Sequence, residues 1–412
     1  MRKVADKPLL FVVIQSFLFA FFADLKCLNW SFVYGGYLND GAMGALYPAV
    51  LLLILVCAIT GKNNLTYRLS NYTIFIVVAL IAFYALTITV VGPPRISVPM
   101  FAVFVICAYL IPSFIYVNSK IVIKAMMFFP FFAIFRLEQV FKFYSYWTHT
   151  ISMDTSYGFL VPIVANVVYV FFYFKGEGKI GKIVTIALSI INLVYFYQIL
   201  QYGSRGPILS VLLLVLFLWI FKWKRGNGIK AQKNRLWIGI VSVVFTVIFF
   251  FPILGAIDDA FISRGIEVHF IKKTFSLGVE GNLTNGREGI ASMTMKGFYE
   301  SPILGHGVDR FEANTGIIYP HNFILQALYD GGILLLLILL VPVGYLAVRK
   351  LQNCSIDELS LFSALFFSSV PGALFSGNMW NLSIMWLFFG YVCSRKTVAG
   401  EETSSTAKFQ IR

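Results

Sequence analysis

Residues 285–332 read NGREGIASMTMKGFYESPILGHGVDRFEANTGIIYPHNFILQALYDGG. Arg, Glu, Asp, His and Gly crowd into this stretch, while the rest of the chain is dominated by apolar runs. Charged side chains and irregular backbone need water or protein partners, so such an island does not lie free in hydrocarbon. The runs on either side extend over ~17–22 residues, each long enough to cross ~30 Å of bilayer core. The island is therefore a loop held between membrane spans.

Composition agrees. Of 412 residues 58% are hydrophobic and 13% charged, and the mean hydropathy is +0.80. A soluble domain carries about twice that charge. The runs are continuous rather than alternating, which excludes a membrane barrel and predicts an all-α polytopic membrane protein. Twelve spans are expected, at 8–24, 42–60, 72–91, 97–117, 121–136, 157–174, 180–200, 206–222, 236–257, 331–348, 358–375 and 379–394. The organisation expected is nine spans within 1–257, a long extracytoplasmic loop at 258–330 between helices nine and ten, three spans within 331–394, and a polar tail at 395–412. The first run, ending near Ala23, resembles a signal peptide but is at the long end for one and reads as a retained span.

The net charge of +14 would suit nucleic acid, but its distribution argues otherwise. With both termini cytoplasmic, the inner segments hold 22 of the 33 Lys and Arg and only 6 of the 19 acidic residues. That is the positive-inside pattern of a multi-pass protein. The five cysteines are scattered, with no spacing that points to a disulfide frame or a zinc site. Asp258 and Asp259 are adjacent and lack the DxD spacing of metal-dependent sugar transferases. No metal site is expected.

Three residues stand out on the outer side. Arg205 lies in QYGSRGPIL, where Gly203 and Gly206 permit close approach of a ligand and Pro207 suits a helix start. Free N–H groups at that start favour phosphate. Arg287 is expected in the first turn of a helix running to about Tyr299, capped by Thr284 or Asn285. A first-turn Arg opposes the helix dipole, a cost that an external anion would offset. Ile290, Ala291, Met293 and Met295 give this helix an apolar side, so it is expected to be amphipathic and interfacial. His321, in YPHN before an apolar helix, can exchange protons near neutral pH. His306, between two glycines, and Arg310 in the same GHGVDRF segment are further candidates. Glu288, Glu300, Asp309 and Glu312 are the nearby carboxylates, each readable as a general base or as an ion-pair partner.

GSRGPIL, NGREGI, SPILGHGVDRF and YPHNFILQALYDGGI, in this order and on one side of the membrane, resemble the O-antigen polymerase and O-antigen ligase superfamily. The resemblance implies a GT-C-like membrane glycosyltransferase of the bacterial inner membrane. It implies an undecaprenyl-pyrophosphate-linked glycan as donor, no nucleotide sugar, no metal and no cofactor. By the same resemblance Arg205 and Arg287 correspond to residues that bind the donor pyrophosphate, and His321 to a residue that takes part in transfer. The SPILGHG and YPHN segments look more like the polymerases. Partners expected on this basis are the lipid-linked glycan, the bilayer, a chain-length regulator and a flippase.

The chemistry fits. Guanidinium forks bind phosphate oxygens bidentately and neutralise a pyrophosphate leaving group. A ligase passing the same donor to lipid A–core is the nearest alternative. A transporter or flippase would be expected to carry ionisable groups at span centres, where this sequence has essentially none.

Overall fold

The computed structural model describes residues 9–34, 40–60, 69–135, 153–202, 205–224, 255, 259–260, 262–265 and 287–394. Among these residues every regular element is helical and there is no strand. Three helices, Asn71–Val91, Lys179–Leu200 and Phe323–Gln352, are long and apolar enough to cross a membrane on their own. Shorter apolar helices, among them Val98–Phe114, Ser156–Phe172, Gly206–Ile220 and Ser383–Cys393, pack with them. The expected run at 236–257 falls almost wholly outside the described residues.

Helix starts follow local chemistry. Ser70 caps Thr73 N–H, Asn118 caps Ile121 N–H, and Ser355 forms a reciprocal capping box with Glu358. Each satisfies backbone donors that a first turn leaves open.

Three expected spans are shaped differently from the sequence reading. The first has its expected extent, as Leu9–Ala23, but an 80° bend then leads into a further short helical stretch, Cys27–Val33. Asp24 sits at this bend, buried, with neither carboxyl oxygen hydrogen-bonded. The run at 121–136 is two short helices, Ser119–Phe128 and Phe131–Ile134, separated at Pro130, which lacks the N–H needed to continue the ladder. The run expected at 331–348 instead begins at Phe323, capped by Asn322, and breaks at Gly332.

Small residues bring helices into contact. A Cβ on Gly390 would lie 1.9 Å from the Tyr109 carbonyl oxygen, so the Ser383–Cys393 helix meets Ala108–Phe114 backbone to backbone. Beside this contact Trp380 and Trp386 stack at 5.7 Å, both fully buried. Two groups of polar contacts join distant segments near the span ends. In one, Glu177 binds Lys120 at 3.0 Å and Lys124 at 3.4 Å, and Tyr173 donates to Asp357 at 2.8 Å. The other joins residues 87–97, 301–330 and 376–380 and contains the candidate site. Each contact named here joins segments that the charge pattern assigns to one side.

Candidate functional site

The polar island is organised around a break in one helix. At Gly332 the backbone turns to φ 60° and ψ −162°, which severs the helical hydrogen bonds on either side. Those groups find new partners in the SPILGHG segment. The Tyr329 carbonyl accepts from His306 N–H at 2.9 Å and the Asp330 carbonyl from Gly307 N–H at 2.8 Å. In return Ile333 N–H donates to the Pro302 carbonyl at 2.9 Å, and Leu334 N–H to Ile303 at 3.3 Å. Four groups that a broken helix would leave bare are thus paired, as buried backbone requires. The glycines make this approach possible. A Cβ on Gly332 would lie 2.3 Å from the Ile303 carbonyl oxygen, and one on Gly305 2.4 Å from the Asp330 backbone.

The Arg287–Glu300 helix lies against this joint, with Gly297 so close to the Tyr329 ring that a Cβ would meet it at 2.2 Å. Ile290, Ala291 and Met295 are half-buried, whereas Glu288, Ser292, Met293 and Lys296 are exposed. The apolar side expected for this helix mostly serves packing. His306 stacks on Tyr329 with ring centres 4.5 Å apart, and its Nε2 lies 2.8 Å from the Gly297 carbonyl oxygen. Its ring holds helix and loop together.

Further along, the loop is fastened to the end of the Asn71–Val91 span. Thr87 Oγ1 accepts from Val308 N–H at 2.9 Å. Arg310 donates to the Pro93 carbonyl at 2.6 Å, and Arg95 pairs with Glu312 at 2.5 Å. Asp309 is buried here, and Asn378 Nδ2 donates to its Oδ1 at 2.5 Å while Oδ2 has no partner. Burial pushes the Asp309 carboxyl up to about 6, against the pull of the Asn378 hydrogen bond and the Arg95 charge.

Asn378 extends this into a buried network. Its Oδ1 accepts from Gln326 Nε2 at 2.9 Å and from Trp380 N–H at 3.0 Å. Trp380 Nε1 donates to Asp330 at 2.7 Å, and Met379 N–H donates to Gln326 at 2.8 Å. Arg95, Gln326, Asp330, Asn378 and Trp380 do not stand out as site residues in the sequence. The polar break SGNMWN between two apolar runs was the available signal for Asn378.

His321 occupies the junction before the Phe323 helix. It and Asp309 are the two non-glycine residues with positive φ among those described, at 60° and 53°. That conformation is uncommon for residues with a Cβ and gathers at functional sites. Asn322, the next residue, caps the helix through Ile324 and Leu325 N–H. The His321 ring lies 4.4 Å from that of Tyr319, and its Nδ1 is buried without a hydrogen-bond partner. Burial, and then the positive charge of Arg287, lower its pKa to about 4. The Arg287 charge thus acts on the ring, and the imidazole is neutral at pH 7.

Arg205 opens the Arg205–Lys224 helix, and its side chain lies outside the described residues. Its neighbour Gly206 abuts Tyr157, where a Cβ would stand 1.9 Å from the phenol oxygen. Tyr157 in turn donates to the Gly372 carbonyl at 3.3 Å. The turn that follows brings Ser376 N–H to that same carbonyl at 3.0 Å, and Ser376 Oγ to 3.3 Å from the Tyr319 hydroxyl beside His321. The start of the Arg205 helix is thus linked to His321 through Tyr157, the Gly372–Ser376 turn and Tyr319. Glu288 is exposed on the first turn of its helix, and Glu300 is exposed at its end.

An apolar cavity of about 100 Å³ opens beside the helix break, lined by Leu80, Phe83, Leu304, Leu335 and Ile338. It lies between the Asn71–Val91 and Phe323–Gln352 spans, next to the loop that carries the polar site.

No curated protein matches the chain in sequence. The family model described as O-Antigen ligase matches residues 190–340, a stretch that contains Arg205, Arg287 and His321. That match, on a helical membrane protein, supports the chain's place in the O-antigen polymerase and ligase superfamily, with ligase- or polymerase-type function in surface-polysaccharide synthesis.

Proposed function

We propose that this protein is a polysaccharide polymerase that moves a growing glycan from its undecaprenyl pyrophosphate onto the next lipid-linked repeat unit, at the outer face of the bacterial inner membrane. The observation that carries the reading is His321 itself, held at positive φ just before the Phe323 helix with its Nδ1 buried and unpartnered and under the charge of Arg287. In this reading the diphosphate headgroup sits by Arg287 and by the start of the Arg205 helix, where guanidinium groups offset its charge and that of the departing pyrophosphate. The acceptor hydroxyl attacks the anomeric carbon. The new glycosidic C–O bond forms as the C–O bond to phosphate breaks, and undecaprenyl pyrophosphate leaves with the electron pair.

The hydroxyl proton goes to His321. An imidazole held near 4 is a weak base in the empty site. A bound diphosphate would cancel the Arg287 field and raise the basicity of the ring, so the base gains strength only with donor in place. His306 and Arg310 act as positioning residues, since His306 Nε2 is engaged by the Gly297 carbonyl and one terminal guanidinium nitrogen of Arg310 by the Pro93 carbonyl. The apolar cavity beside the helix break suits the first isoprene units of the donor.

Purified protein given defined lipid-linked repeat units should make a ladder of products. Arg205→Ala, Arg287→Ala and His321→Ala should each abolish it, and normal ladders from all three would refute the reading. The family description, O-Antigen ligase, favours a second reading, transfer to lipid A–core. Deletion of the gene separates the two: loss of a polymerase leaves lipopolysaccharide with one repeat unit, and loss of a ligase leaves bare core.

A further inference from the structure

The SPIL turn is the most apolar exposed surface of the candidate site. Ile303 is 65% exposed and Leu304 52%, and neighbouring Pro302 is exposed and uncharged. Exposed aliphatic side chains side by side on an otherwise polar loop ask for a cover. The backbone bonds fix their level. Pro302 and Ile303 are hydrogen-bonded to Ile333 and Leu334, immediately after the Gly332 break. From that break to Gln352 the helix runs about 20 residues, or about 30 Å, which is one hydrocarbon thickness. Arg349 and Lys350 mark its far end. The turn therefore stands at the near edge of the hydrocarbon.

Its surroundings agree. Ile333, Leu334 and Leu337 of the same span are exposed, as are Ile88, Val90 and Val91 at the end of the neighbouring span. Leu304 reaches down to share a cavity with Ile338, about 8 Å below Ile333 at the helical rise. Interfacial elements seat their apolar face about 5–10 Å into the headgroup and acyl boundary. The preceding helix exposes mainly polar groups, Glu288, Ser292, Lys296 and Glu300, with Met293 on the same exposed side and Tyr299 at the end next to the turn.

We propose that the Pro302–Leu304 turn is a membrane anchor, seated among the acyl chains of the leaflet on the side of the candidate site. It holds the Arg287–Glu300 helix at headgroup level and leaves that helix's polar face in water. The proposal rests on the membrane embedding of the chain and not on the glycan-transfer reading.

The test is site-directed spin labelling in vesicles of phosphatidylethanolamine and phosphatidylglycerol. Cysteine replaces Ile303, Leu304 or, as a control, Ser292, in a protein whose half-buried Cys57 and Cys107 are changed to alanine. Nitroxides at 303 and 304 should collide with oxygen several-fold more often than with a water-soluble nickel chelate, and the order should reverse at 292. Nickel access at 303 and 304 equal to that at 292 would put the turn in water and overturn the proposal. Low access to both quenchers would mean a protein cover and overturn it equally. A carbene probe dissolved in the bilayer reads the unaltered protein: residues 301–305 should take label and 287–296 should not, and the opposite pattern contradicts the anchor.

Discussion

The protein handles positive charge in two ways. At the Lys120–Lys124–Glu177 cluster, two ammonium groups converge on one carboxylate at 3.0 and 3.4 Å. The Tyr169 hydroxyl, first, and then the lysines pull Glu177 down to about 2. Opposite charges meet, and the local field is settled within the protein. At the candidate site the Arg287 cation bears on an imidazole that burial already disfavours as a cation, and Nδ1 of that ring has no partner. The backbone there is also held in left-handed geometry. The first cluster has the electrostatics of a joint; at the second, burial and the Arg287 charge both keep the imidazole neutral.

The sharpest way to break this contrast is to remove charge from each end. Arg287→Ala should reduce glycan transfer by roughly 10²–10³-fold, the scale for losing one preorganised donor to a developing anion. Glu177→Gln should leave transfer within about twofold. Equal losses from both would erase the distinction.

Next in size is the helix break. Gly332→Ala meets the Ile303 carbonyl oxygen at 2.3 Å in a positive-φ conformation, and should destabilise the loop by about 3 kcal/mol. Proteolysis should then cut within 301–310 faster than elsewhere, and unchanged cleavage would refute the pairing of loop and break.

A smaller effect is electrostatic. His321 has its pKa lowered to about 4, so in the empty protein its imidazole should stay neutral as pH falls through 6 and 5. Arg287→Gln removes the second of the two causes and should move the titration up, toward the ordinary ~6.5. Nuclear magnetic resonance of histidine-labelled protein checks this, and a downward or absent shift would contradict it.

The smallest effect belongs to the other cluster. The Glu177 pKa is depressed, so its contribution to stability is present above the ordinary carboxylate range and is lost as pH falls toward 2. Because the lysines are partly exposed, Glu177→Gln should cost about 1 kcal/mol or less at pH 7, and progressively less as pH falls toward and below 2.

Much of this was legible in the chain. Apolar runs mark most helices because hydrocarbon length sets run length. Arg287 and His321 stood out because each opposes its local setting, one at a helix start and the other at a span boundary. The misses share a cause, namely dependence on distant partners. Asp330 reads as the polar limit of a span, yet the helix begins at Phe323, and Trp380 and Asn378, some 50 residues on, supply partners to one Asp330 carboxyl oxygen and to Gln326. His306 reads as a chemical group between flexible glycines, but those glycines let the backbone cross a broken helix, and the ring stacks on Tyr329. The bend at Asp24 gave no local signal beyond one carboxylate at the end of an apolar run.

The central claim is that a diphosphate headgroup seats between Arg287 and His321, and binding tests it most directly. Purified wild-type protein, Arg287→Ala and Glu177→Gln would each be titrated with undecaprenyl pyrophosphate and with undecaprenol. The account predicts that Arg287→Ala weakens pyrophosphate binding at least tenfold, leaves undecaprenol binding unchanged, and that Glu177→Gln alters neither. Equal affinity of wild type and Arg287→Ala for the pyrophosphate would contradict it.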